Sequence, residues 1–322
     1  MPRPPPASRI GRFVLDARYR AEAGVVGALS LLARLAIPRV RRAVGTGVGT
    51  LHWALDARHR RVARDNLRLA YGDTLSRGDV RRLVLASMRH FAQVAVETLA
   101  FERYLAGEAD AHVQVEGVEH LHTALARGRG AIVVSGHLGH WELLALMLGR
   151  LGVPVANIVR PLDNPYLEPR LARLRKLSGN GVIDKHTAVR QALLHLRRGG
   201  GLDLLIDQRP KRWGIPVPFF GHDAYTAGGL ARLALASGAA VVPGFLVRED
   251  DGTWRMVIEP EVTVSRTDDP TADAYRLTAA CTAILEGWVR RYPEQWLWTH
   301  RRWALPVDAV AASPRSGHAQ VP

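Results

Sequence analysis

Two side chains in this sequence have the types and spacing needed to activate a hydroxyl, His137 and Glu142, both within Ala131 to Leu144, AIVVSGHLGHWELL. The apolar run IVVS reads as a buried strand ending at Gly136, and Trp141 and Leu144 begin an amphipathic helix. His137 therefore falls at the carboxyl end of a strand, where the chain must turn. Glu142 follows in the first helical turns, and a bend at Gly139 folds its carboxylate back towards the imidazole. In such a pair one ring nitrogen removes a proton while a carboxylate on the other fixes the tautomer and stabilises the cation. The bland reading is a histidine capping a helix beside a surface glutamate, because a His followed five residues later by an acid recurs by chance.

Other chemistries leave weaker traces. His137, His140 and Glu142 form an HxxHxE cluster that suggests a metal, but metal-binding histidines on a helix usually sit four apart, and neither His186 nor His195 stands in a ligand context. No metal site is assigned. Ser135, in VVSGH, lacks the glycine two residues earlier that a nucleophile elbow requires. A phosphate-binding GxxxxGK[ST] loop and a well-placed GxGxxG are both missing, so nucleotide-dependent chemistry has no support. Cys281, the one cysteine, excludes an intramolecular disulfide and reads as a small core residue in an apolar helical stretch.

The elements that position these residues come in two textures. Residues 1–12, opening MPRPPPASRI, and residues 304–322 are read as disordered tails. From Phe13 to Leu105 the pattern is helical: Val80, Leu83, Val84, Ser87, Phe91, Val94 and Ala95 recur near 3.6-residue spacing. No Gly, Ser and Pro linker separates this section from the rest of the chain, so it is expected to pack on the core. Residues 106–303 alternate short β-type runs (HVQVEG, AIVVSG, ANIVR, GVID, LDLLID, VVPGFLV and WRMVIEP) with helical segments at Val118–Arg127, Trp141–Leu151, Pro165–Leu177, Thr187–Arg198 and Thr226–Ser237. Strands alternating with helices predict an α/β fold: a mostly parallel central sheet flanked by helices, with binding sites at the carboxyl ends of strands.

The 322 residues are 47% hydrophobic, enough for a full core, and carry a formal net charge of +14. Such a charge predicts an anionic partner but does not choose among lipid headgroups, an acidic protein and nucleic acid. No recognisable nucleic-acid module occurs, and no nucleic-acid partner is assigned. Nor does any run reach the roughly 18 to 20 apolar residues of a spanning helix. Ala23 to Ala33, AGVVGALSLLA, edged by Arg18, Arg20, Arg34, Arg39, Arg41 and Arg42, reads instead as a segment dipping into an anionic membrane surface, its rival being an ordinary buried helix.

The ordered motifs resemble those of the lysophospholipid acyltransferase superfamily, and within it the late (lauroyl and myristoyl) acyltransferases of lipid A biosynthesis. HLGHWE, His137 to Glu142, is similar to that family's HxxxxD/E signature, with His140 where an asparagine is expected. RPLDN from Arg160, Asp207 and Gln208 in LLIDQRP, VPFFG from Val217, VVPGF from Val241 and PEQWLWTHRRW from Pro293 follow in order. The resemblance covers roughly Arg60 to Trp303. It implies transfer of a fatty acyl chain from an acyl carrier protein or coenzyme A thioester to a hydroxyl of a lipid A precursor. The work would be done at the cytoplasmic face of a bacterial inner membrane, with no cofactor. His137 would be the general base and Glu142 its orienting acid, and amides near Gly139 and His140 would serve the oxyanion. Arg160 would grip an acceptor phosphate, and Asp207, with Gln208 beside it, would bind sugar hydroxyls or brace Arg160. Phe219 and Phe220 would wall the lipid pocket, and Leu138, Gly139 and Gly221 would belong to the acceptor site. Arg209, Lys211 and Arg212 suit a phosphorylated saccharide or an acidic carrier protein. The alternatives are acylation of another glycolipid, such as a phosphatidylinositol mannoside, and a metal-dependent lipid hydrolase using His137, His140 and Glu142.

Overall fold

In the computed structural model residues 9–159, 162–184, 188–211 and 214–305 are described. Four long helices open the chain: α1 (Arg9–Leu35), α2 (Pro38–Leu55), α3 (Ala57–Tyr71) and α4 (Arg77–Thr98). The helix at Arg9 shortens the expected tail; residues 1–8 and 306–322 lie outside the described residues. Short turns α5 (Phe101–Arg103) and α6 (Ala109–His112) lead to β1 (Val113–Glu116) and α7 (Val118–Ala126). The alternation continues through β2 (Ala131–Ser135), α8 (Trp141–Arg150), β3 (Val155–Val159), α9 (Glu168–Lys176), β4 (Gly181–Asp184), α10 (Ala188–Arg197) and β5 (Gly201–Leu205). A hairpin of β6 (Gly214–Phe219) and β7 (His222–Ala227) precedes α11 (Gly229–Ser237), β8 (Ala240–Arg248), β9 (Trp254–Ile258) and α12 (Pro270–Arg291).

Seven strands form one sheet in the order β1-β9-β8-β2-β5-β3-β4, with only the β8–β9 pair antiparallel. Strand β2 is buried along its whole length, which is why it reads as a continuous apolar run rather than an alternating one. It sends Ile132 and Val134 into the core on one face and Ala131 and Val133 into the core on the other. The predicted mostly parallel sheet between helices is present. The β6–β7 hairpin was not expected. VPFFG reads as a loop because Pro216 and Pro218 interrupt the strand signal, and both prolines are tolerated in this two-stranded ribbon. The segment read as helical from Thr226 becomes helical only at Gly229.

The N-terminal helices pack on the core through small residues. A Cβ on Gly45 or Gly49 of α2 would collide with the backbone of Gln93 or Arg89 in α4, so the two helices approach as closely as glycine allows. Two features differ from the sequence reading. Arg41, expected at a membrane surface, is buried: it pairs with Glu108 and donates to the carbonyl of Ala36 at 2.9 Å. Arg34 pairs with Glu102. The apolar surface is also wider than Ala23 to Ala33. Val25, Leu29 and Leu32 of α1, then Val40, Val44, Val48, Leu51 and Leu55 of α2, are all exposed, at steps of three and four that align them on helix faces. No described helix is long and apolar enough to cross a membrane.

Candidate active site

Strands β2 and β5 are parallel neighbours with Ser135 opposite Leu205, and the Ile206 amide donates to the Ser135 carbonyl at 3.0 Å. Two residues beyond each strand end stand His137 and Asp207, brought side by side by that register. His137 Nδ1 lies 2.7 Å from Asp207 Oδ1, and the His137 backbone amide donates to Oδ2 at 2.7 Å. Trp296 Nε1 donates to the same Oδ2 at 2.9 Å, so the buried carboxylate is held from three directions. Nδ1 then carries the proton given to Asp207 and Nε2 presents its lone pair. Gln208 Nε2 reaches that nitrogen at 3.1 Å, and the His137 side chain is 17% exposed, so Nε2 is accessible.

The electrostatics follow from this placement. Burial alone would raise the Asp207 carboxyl, but the facing imidazole and the hydrogen bonds from His137 and Trp296 hold it at about 2. For His137, burial disfavours the imidazolium. The charge and hydrogen bond of Asp207, joined by the charges of Glu142 and Asp203, outweigh it, and the net shift is upward. Asp203, on β5, is pushed up to about 7 by burial first and the Glu142 charge second, and its Oδ1 is buried without a hydrogen-bond partner.

The carboxylate on Nδ1 is thus Asp207, where the sequence reading had Glu142 in that place and Asp207 on sugar hydroxyls. Strand pairing, invisible in a local motif, decides it. Glu142, half-buried in the first turn of α8, acts on the imidazole through its charge. His140 is the N-cap of α8: its Nδ1 accepts from the Leu143 amide at 3.2 Å and its ring lies against Phe101 and Trp254. Its Nδ1 is thus taken while its Nε2 is buried without a hydrogen-bond partner, and His137, His140 and Glu142 do not form one of the ligand groupings found among the described residues.

Leu138 and Gly139, expected to line the acceptor site, are structural. Leu138 is fully buried and bridges to Trp296. Gly139 has φ +60, and a Cβ there would collide with the Leu246 carbonyl. The amides expected to serve an oxyanion are also committed, Gly139 to the Gln295 carbonyl at 3.0 Å and His140 to that of Leu246 at 2.8 Å. His90 of α4, its pKa lowered to about 4 by burial, donates through Nε2 to the Gly139 carbonyl at 3.0 Å. Phe219 and Phe220, expected to wall the lipid pocket, are packed in the interior. They are buried among Tyr71, Trp296, Trp298 and Trp303, and the Phe219 ring sits 5.4 Å from that of Trp296, backing the indole that holds Asp207. Gly221 is exposed at the hairpin turn. Arg160 and Arg212 lie outside the described residues.

Asp203, Trp296 and His300 were not singled out from the sequence. A charged residue within the buried strand LDLLID was the available signal for Asp203. His300 accepts from the Arg209 amide at 3.0 Å, and its carbonyl, like that of Trp298, accepts from Asn66 of α3.

A family model described as bacterial lipid A biosynthesis acyltransferase matches residues 14–304. The chain belongs to this family. Similar to it are the lipid A biosynthesis palmitoleoyltransferase of Escherichia coli K12, 29% identical over 300 residues that cover 92% of this chain and 95% of the relative, and the lauroyltransferase of the same organism, 27% identical over 289 residues, 88% and 92%. A phosphatidylinositol mannoside acyltransferase of Mycolicibacterium smegmatis is 27% identical over 239 residues, covering 71% and 74%. Membership in the lipid A acyltransferase family makes this chain an enzyme that acylates a lipid, and the sequence resemblance and the family model agree.

Proposed function

We propose that this acyltransferase moves a fatty acyl chain from an acyl carrier protein or coenzyme A thioester to a hydroxyl of a lipid A precursor, with His137 as general base and Asp207 as its orienting carboxylate. One observation carries the reading: an imidazole held at Nδ1 by a buried aspartate, with Nε2 accessible. The acceptor hydroxyl takes the position of the Gln208 amide and gives its proton to Nε2, and its oxygen attacks the thioester carbonyl. The tetrahedral intermediate expels the thiolate, which takes the proton from the imidazolium. The products are an ester and a free thiol, and no covalent enzyme intermediate forms.

Charge supports an anionic acceptor or carrier. Arg58 and Arg61 of α3 and Arg301 line one groove of about 520 Å³ together with Asp65, Asn66 and Trp303. Asn66 ties that groove to the His300 segment beside the site. The exposed apolar faces of α1 and α2, with Arg39 and Arg42 exposed beside them, suit the surface of an anionic membrane, here the cytoplasmic face of a bacterial inner membrane. Replacing Val44 and Val48 together by aspartate is expected to weaken binding to phosphatidylglycerol vesicles at least about tenfold in a sedimentation assay. Binding unchanged by the pair would remove α2 from the membrane contact.

The second reading, a mannosylated phosphatidylinositol as acceptor, is favoured by the likeness to the mycolicibacterial enzyme. A transfer assay in mixed micelles separates the two. Purified protein, offered labelled acyl carrier protein or coenzyme A thioester, is expected to acylate a lipid A precursor. Label on the mannoside alone would move the acceptor to the second class, and transfer to neither from either donor would overturn the proposal.

A further inference from the structure

The joint between α2 and α3 gathers a second set of chemically capable side chains, unrelated to the catalytic cleft. His52 lies in the last turn of α2, Asp56 is the single residue between the helices, and His59 lies in the first turn of α3. The helix breaks at Asp56, whose φ of −97 and ψ of 80 are non-helical, and the resulting joint brings the three side chains together. His52 Nε2 is 3.2 Å from Asp56 Oδ2, and His59 Nδ1 is 2.5 Å from the same oxygen. All three donor atoms lie within 4.8 Å of one another.

We propose that His52, Asp56 and His59 bind a divalent transition-metal ion of the zinc type, with two neutral imidazoles and one carboxylate as ligands and the remaining coordination positions open to water. Two nitrogens and one oxygen are the donors such an ion prefers, at about 2.0 to 2.2 Å. Ligands at that radius sit roughly 3 to 3.5 Å apart in a tetrahedral shell. The His52–Asp56 separation already matches that spacing, and His59 needs only a small outward shift. The carboxylate is fixed in advance: Asp56 Oδ1 accepts from the His59 amide at 2.9 Å as the N-cap of α3, which leaves Oδ2 to the site. Of the two arginines that flank His59, Arg58 lines the groove with Arg61 and Asn66, and Arg60 is turned away. Its guanidinium donates to the carbonyls of Trp53 and Ala54 and lies 5.3 Å from the Trp53 ring centroid. His52 and His59 are about half exposed, so an ion reaches them from solvent without any rearrangement of the core.

An ion here would clamp the last turn of α2, whose Leu51 and Leu55 are exposed, to the first turn of α3, whose Asn66 reaches the His300 segment. The site is a brace, distinct from the chemistry at His137.

The tag-free, chelator-stripped full chain is titrated with Zn²⁺ by calorimetry and with Co²⁺ by visible absorption. One saturable equivalent is expected, with melting temperature rising on Zn²⁺ addition. Single His52→Ala and His59→Ala variants, and Asp56→Asn, which keeps the cap, should each weaken binding at least about tenfold. The doubly substituted His52→Ala, His59→Ala chain, checked by circular dichroism for an unchanged helix signal, should lose the site. Absence of a saturable equivalent in the wild type, or equal binding by the double variant, would overturn the assignment. Loss of binding in His137→Ala would overturn it equally, by placing the ion in the catalytic cleft.

Discussion

Replacing His137 by alanine is expected to lower kcat for acyl transfer by about 10² to 10⁴-fold, the usual contribution of a positioned general base. Substrate binding should change little, because the acceptor's proton, not its headgroup, is what Nε2 receives. The loss should therefore appear in kcat more than in KM. The variant should stay folded, since the imidazole stands at the strand end and meets the site residues Asp207 and Gln208 and the Trp141 ring 5.1 Å away. Steady-state kinetics with a detergent-solubilised acceptor read this directly, and near-normal turnover would remove His137 from the reaction.

Replacing Asp207 by asparagine should cost a comparable factor, about 10² to 10⁴-fold, because the neutral amide no longer selects the Nδ1–H tautomer or stabilises the imidazolium. Glu142→Gln should cost less. Glu142 adds its charge to the imidazole, whereas Asp207 contacts Nδ1 and the backbone amide together. Equal losses in the two variants, or a larger one at Glu142, would return the orienting role to the acid within the local motif. Asp207→Asn should also lower stability, since a buried partner of Trp296 Nε1 and of the His137 amide is altered, and a thermal melt measured beside the kinetics separates unfolding from lost catalysis.

Which acid holds the histidine could not be read from HLGHWE because the answer lies seventy residues away. Local periodicity locates β2, α8 and β5, but only the parallel pairing of Ser135 with Leu205 makes His137 and Asp207 neighbours. Once that pairing is known the positions are nearly forced, each being two residues past its strand. The sheet itself was legible, because strands buried on both faces leave continuous apolar runs such as AIVVS and VVPGFLV. The β6–β7 hairpin was not, its prolines and its positive-φ Phe220 masking the strands. The aromatic cluster behind Asp207 was equally hidden: PEQWLWTHRRW shows three tryptophans, but not that Trp296 and Trp298 meet at 4.6 Å between centroids or that one indole N–H faces the catalytic carboxylate. The α1 and α2 surface was half legible. Glycines at 45, 47 and 49 dilute the apolar signal of α2, and two of them are spent on packing against α4.

The pH dependence of kcat/KM in wild type and Asp207→Asn tests the His137–Asp207 dyad most directly. A general base works only when neutral, so activity falls as pH falls through the imidazolium pKa. In the wild type Asp207, supported by the Glu142 charge, holds that value above the ordinary histidine range despite burial, which puts the acid limb above about pH 6.5. Removing the Asp207 charge leaves burial and a weaker anionic field, so the limb should move to lower pH while the plateau falls. A limb that stays in place in Asp207→Asn, or one that shifts only in Glu142→Gln, would contradict the pairing of His137 with Asp207 as the catalytic dyad.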